Sequence, residues 1–221
     1  MVLLPDLPLL LDHSLLHPQL SEDGVLDGCK LARAWGVASV LVRPADADVA
    51  VRTMDGSSTT VGAAVDFPHG HGTTTARVYA VRDCLRRGVR EIETPLNLSK
   101  LLSRQFQHVE TELRQMADAC RESKALLKVR LGSGLNEESR FLVCRIVKRA
   151  GVDFVVLEDT SETAFFHEHL QDRVRIKACG FADTKAALAA QAAGVARIEG
   201  DTAVLMAQWR ERLNEKSQPL T

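Results

Sequence analysis

Lys177 lies within "RVRIKACGF", residues 173–181, a short and mostly apolar run. An ammonium buried in such a run is costly unless it is paired or gives up its proton. It therefore has two chemical uses: a nucleophile that forms an imine with a carbonyl compound, or a cation held among carboxylates. The chain offers partners for either. Asp12, Glu91, Glu93, Glu158, Asp159, Glu199 and Asp201 bring carboxylates to the ends of other short apolar runs, and Lys128 and Arg130 bring further cations. Several carboxylates together would also suit a hard cation, and the alternative is a charge network satisfied by the neighbouring lysines and arginines. His69 and His71 stand two apart in "FPHGHG", a spacing open to a metal pair or to loop structure. Cys179 reads as a nucleophile or as a small buried hydrophobe. The five cysteines, at 29, 84, 120, 144 and 179, are odd in number and show no CxxC spacing, which argues against a disulfide framework and a structural zinc site. We expect no metal and no cofactor, since there is also no GxGxxG loop and no nucleophile elbow.

The elements that must carry these residues recur along the chain. A helical segment ends at glycine, valine follows, and an apolar strand begins in "WGVASVLVRP" (35–44), "RGVREIETP" (87–95), "AGVDFVVLED" (150–159) and "AGVARIEGD" (193–201). Glycine suits those sites because it takes the left-handed conformation that stops a helix. The spacing leaves room for a strand in each gap, and "TTVGAAVDFP" (59–68), "ALLKVRL" (125–131) and "RVRIKAC" (173–179) fill them, with "PLLLDHSLL" (8–16) ahead of the first. Helices are read over 21–35, 73–87, 100–123, 136–150 and 183–193, several opening on Ser, Thr, Asn or Asp at an N-cap position. Eight strands alternating with helices predict a (β/α)8 TIM barrel over residues 1–221 as one domain, with an open doubly wound sheet as the alternative. In a barrel the chemistry belongs at the C-terminal strand ends. The tail after residue 213 reads as frayed.

Composition narrows the partners. With 45% apolar and 26% charged residues and a formal charge of −1, nothing attracts nucleic acid or a membrane surface. The leucine-rich opening lacks a basic n-region and is broken by Pro5, Asp6, Pro8 and Asp12, so neither a signal peptide nor a spanning helix is expected and the location reads as cytoplasmic.

In order and spacing, "LLDHSLLHP", "GVASVLVRP", "VDFPHG", "EIETPLNL", "LLKVRL", "GVDFVVLED", "IKACGF" and "GVARIEGD" resemble the motifs of the deoxyribose-phosphate aldolase family, from about residue 9 to 205. The resemblance implies a class I aldolase barrel that makes and breaks C–C bonds through a lysine imine without metal. It places Lys177 on the second active-site lysine, Asp12 and Lys128 on polar residues of the first and fifth strands, and Glu93 where the family has a proton-relaying aspartate. The imine lysine itself belongs in "FVKTSTG", which reads "FVVLEDT" here, with Val156 in its place. The family's glycine-rich phosphate loops have become Glu158 and Asp159, Gly180 and Phe181, and Glu199, Gly200 and Asp201. Carboxylates gathered there would repel a phosphodianion by several kcal/mol. Two readings follow: a divergent carbon–carbon lyase, with Lys177, Glu93, Asp12 and Lys128 acting on a small unphosphorylated carbonyl compound held by Glu158, Asp159, Gly180, Glu199 and Asp201, or an inactive binding or regulatory relative. Barrels habitually pair, so a homodimer is a further expectation.

Overall fold

The structure, a computed structural model, describes residues 6–217. Both ends of the chain read above, the opening at 1–5 and the last of the tail at 218–221, lie outside the described residues. Strands β1 (Leu11–Leu15), β2 (Ser39–Val42), β3 (Thr60–Ala64), β4 (Glu91–Pro95), β5 (Leu126–Arg130), β6 (Phe154–Leu157), β7 (Arg175–Phe181) and β8 (Val195–Gly200) pair in parallel and in sequence order, and β8 closes on β1. The closed sheet is a (β/α)8 barrel, which removes the doubly wound alternative.

Around it run α1 (Glu22–Trp35), α2 (Ala47–Thr53), α3 (Thr74–Arg86), α4 (Leu98–Leu102), α5 (Phe106–Glu122), α6 (Glu137–Ala150), α7 (Thr163–Leu170), α8 (Thr184–Ala192) and α9 (Thr202–Ser217). The caps are those expected from the sequence. Ser21, Thr73, Asn136 and Asp183 each accept a backbone N–H of the first turn, satisfying donors that have no intrahelical acceptor. Gly36 and Gly151 take left-handed backbone at the ends of α1 and α6, the role read for them. The helix read over 100–123 is instead two, because Arg104 turns left-handed between α4 and α5. No glycine or asparagine marks that turn. Among the described residues no helix is long and apolar enough to cross a membrane.

Alternation along the strands divides the side chains into two sets. Val40, Val42, Ala63, Val65, Val155 and Leu157 join one contiguous apolar cluster with the inner faces of the helices, among them Val25, Leu113, Met116 and Val147. Leu41, Ala64, Phe154 and Val156 are buried too but fall outside that cluster, and they share the other face, toward the barrel axis, with charged residues. Register brings the charges together. Glu93 stands beside Lys128 on β4 and β5, Val156 beside Lys177 on β6 and β7, Lys177 beside Arg197 on β7 and β8, and Asp12 beside Glu199 on β1 and β8. Bulky apolar residues usually fill a barrel of this kind; here much of the axis is polar.

Candidate active site

Lys177, from the middle of β7, is 0% exposed. Its Nζ lies 2.7 Å from Glu93 Oε2, 2.6 Å from Glu199 Oε2 and 3.1 Å from Asp12 Oδ2. An ammonium has three protons to donate, and three carboxylates stand ready to take them. Asp12 is shared more widely still. Its Oδ2 also meets Lys128 Nζ at 2.6 Å, while its Oδ1 accepts from Arg197 Nη1 at 2.6 Å and from Ser39 Oγ at 2.7 Å.

A second tier closes over and under this centre. Arg130, two residues beyond Lys128 on β5, donates through Nε and Nη2 to Glu93 Oε1 at 3.0 and 2.5 Å. Its Nη2 also lies 3.4 Å from Glu199, and its Nη1 lies 3.5 Å from both Glu158 Oε1 and Cys179 Sγ. Phe67 lays its ring 5.5 Å from the Arg130 guanidinium carbon. Toward the other end, Arg197 bridges Asp12 to Glu91, and Lys128 Nζ comes within 2.6 Å of Glu91 Oε2. Among the described residues, the inner network thus sets the carboxylates Asp12, Glu91, Glu93 and Glu199 against the cations Lys128, Arg130, Lys177 and Arg197. Its formal charge is zero, which is what a site with little water requires.

The network fixes protonation. Burial alone would lower the pKa of Lys177, but Glu93, Asp12 and Glu199 outweigh it and hold the ammonium well above the ordinary lysine range. Burial would likewise raise Asp12 and Glu93. Lys128, Lys177 and Arg197 instead keep Asp12 below the usual carboxylate range, and Lys177, Arg130 and Lys128 do the same for Glu93. Lys177 as found here is therefore a fixed cation with no free electron pair, the second of its two chemical uses. Cys179 offers no substitute nucleophile, since burial and then Glu199 push its thiol up to about 12. The side chain beside Lys177 on β6, where the resemblance expects the imine lysine, is Val156, fully buried and without a reactive group.

The remaining residues singled out in the sequence divide. Glu158 reaches the rim, 44% exposed, beside Arg130. With Asp159, Cys179, Gly180, Phe181 and Asp183 it lines an open hollow of about 500 Å³ at the ends of β6 and β7. Asp159 is exposed and is held below its ordinary pKa by the Ser161 side chain and then by Ser161 N, from which it accepts, while Asp201 is exposed and caps α9 through Val204 N. Those two carboxylates serve turns and helix ends and make no contact with the central network. Gly200 is explained by packing: a Cβ there would lie 1.9 Å from Phe181 O. His69 and His71 stack on each other, 5.4 Å between ring centroids, and among the described residues no group of three His, Cys, Asp or Glu is arranged to hold a metal ion.

Sequence reasoning missed Arg197 altogether, left Glu91 as an unassigned strand-end carboxylate and read Arg130 only as a cation to neighbour Lys177. Alternation could have found the first, because Arg197 stands two residues before Glu199 on the same face of the same strand.

The comparisons with known proteins agree with this architecture. No protein-family model matches the chain. A deoxyribose-phosphate aldolase of Bacteroides thetaiotaomicron is 34% identical over 199 residues, covering 86% of this chain and 84% of that protein. Among solved structures, an aldolase designated QR15 superimposes with a TM-score of 0.88 at 23% identity, over 97% of this chain and all of the other. The deoxyribose phosphate aldolase of Aeropyrum pernix, described as tetrameric, gives 0.84 at 19% identity over 94% and 92% of the two chains. At these identities the two structures speak for the fold, and the Bacteroides sequence speaks for descent: the chain belongs to the deoxyribose-phosphate aldolase family.

Proposed function

We propose that this chain is a family member that has given up the lysine imine and uses its barrel mouth to bind a small, unphosphorylated carbonyl compound, neutral or cationic, without cleaving it. The observation that carries this reading is the ammonium of Lys177, sealed from solvent and shared among Glu93, Asp12 and Glu199. A nucleophilic lysine needs desolvation or a cationic neighbour without compensating carboxylates. Here each cation is matched. The ligand class follows from the rim: Glu158, Asp159 and Asp183 stand around the hollow, a setting that disfavours a phosphate group. We read residues 1–221 as one barrel unit acting in the cytoplasm, with copies associating as a homodimer, which light scattering on an eluting peak would check.

A second reading, carbon–carbon lyase chemistry, is favoured by one feature. Glu199 is the most exposed of the three partners of Lys177, at 16% against 1% or less for Glu93 and Asp12. A substrate that displaced Glu199 would uncover the amine beside Glu93.

Borohydride reduction with a panel of small aldehydes and ketones, followed by peptide mass spectrometry, separates the two. We expect no saturable adduct at Lys177. An adduct mapping to Lys177, and absent from Lys177→Ala, would establish the lyase reading instead.

A further inference from the structure

A second cavity of about 500 Å³ opens between the β3–α3 and β4–α4 connections, on the strand-end face that also carries Phe67 and Arg130. Its walls are His71, Gly72, Thr73, Thr74, Asn97, Ser99, Lys100 and His108. Two imidazoles, an ammonium, hydroxyls and an amide are hydrogen-bond donors, and no carboxylate is among them. Two carboxylates come near: Glu112, 4.0 Å from His108 Nε2, whose Oε2 accepts from Thr74 Oγ1 at 2.9 Å, and Asp66, which accepts from Gly72 N at 2.9 Å; both pair with the single guanidinium of Arg77. The lining thus differs from the acidic hollow by Glu158 in carrying an ammonium and no carboxylate of its own.

Asn97 supplies the decisive detail. Its Oδ1 accepts from Lys100 N at 3.2 Å, and that bond fixes which end of the amide is which. The NH2 end is left with no acceptor among the described residues, although Asn97 is only 6% exposed. That end is not sealed inside the protein but opens to the cavity, where it is left to water or a ligand. Lys100, on the same wall, has no ion-pair partner among the described residues. The first-turn amides of α3, a helix of 13 residues, add donors of the same polarity.

We propose that this cavity is a binding site for a small molecule through its oxyanion, phosphoryl or carboxylate, held by the Asn97 amide and Lys100, with His71 and His108 flanking it. The site is separate from the Lys177 network. It stands whether or not the imine is absent, and it offers an anion the place that the acidic rim denies.

The test is a titration of the full chain with inorganic phosphate, and separately with acetate, against sodium chloride of equal ionic strength. The imidazole resonances of His71 and His108 report occupancy. We expect saturable shifts with at least one of the two oxyanions and not with chloride; the tighter of the two identifies the group recognised. Asn97→Asp keeps the cap on α4 yet turns the two donors into a repelling oxygen, so it should abolish the response, and Lys100→Gln should weaken it about tenfold. Shifts that never saturate, that chloride reproduces, or that survive in a folded Asn97→Asp protein would overturn the proposal.

Discussion

Lys177 shows how one side chain can be over-determined. Replacing it by methionine would keep most of the volume and leave Asp12, Glu93 and Glu199 facing one another without their common cation. Breaking a buried pair from one side costs about 3–5 kcal/mol, so we expect Lys177→Met to lower the urea midpoint by that equivalent and to be more harmful than its exposed counterpart Lys30→Met. The same contacts set the acid limit of the fold. Asp12 and Glu93 are held below their unfolded values, which lie at about 3.9 and 4.3. The stability they contribute is present above those values and is lost as pH falls from about 4 toward their folded pKa. Lys177 is shifted the other way; its contribution is complete below about 10.4 and is lost only as pH rises through the folded value. A melting series should therefore be level through neutrality, with respect to these groups, and fall below pH 4. Much of this centre was legible beforehand: Asp12, Glu93, Lys128 and Lys177 from the resemblance, Glu199 from its strand end. Arg197 was overlooked although its place two residues before Glu199 was there to be read; what the sequence does not record is its pairing, since Asp12 and Glu91 are 185 and 106 positions away.

The strands and caps were the most readable elements, since glycine stops and apolar runs repeat with one rhythm. Where no local signal exists, the reading failed. The turn at Arg104 splits a helix that periodicity alone makes continuous, and α2 and α7 are short and enter through single 3-10 turns at Pro44–Asp46 and Thr160–Glu162. α9 does carry a signal, with Leu205, Met206 and Trp209 buried at helical spacing behind the Asp201 cap. Two glycines allow element-level physics to be separated. Gly36 ends α1 at φ 65° with nothing within 4 Å of a would-be Cβ, so Gly36→Ala should cost about 1 kcal/mol from backbone strain alone. Gly200 has ordinary backbone but meets Phe181 O. There the β7–β8 pairing itself must shift, and we expect Gly200→Ala to lower the melting temperature by more than Gly36→Ala does.

At the scale of the whole molecule the barrel is closed, β8 on β1, so each strand supports the position of every inward side chain. A site built this way is coupled around the ring. Arg197→Met would leave Glu91 and Asp12 in excess, and Glu91→Gln would leave Arg197 in excess; made together they restore neutrality. We expect the double variant to be more stable than the sum of the singles implies, by a coupling of about 0.5–3 kcal/mol, measurable in denaturant. That balance also bears on how the sequence can change over generations. A lone replacement of any of these eight charges leaves the axis with one unit too many, whereas two replacements on facing strands do not. The interior of this protein should accordingly drift in correlated pairs, and relatives that differ from it at Arg197 should tend to differ at Glu91 or Asp12 as well.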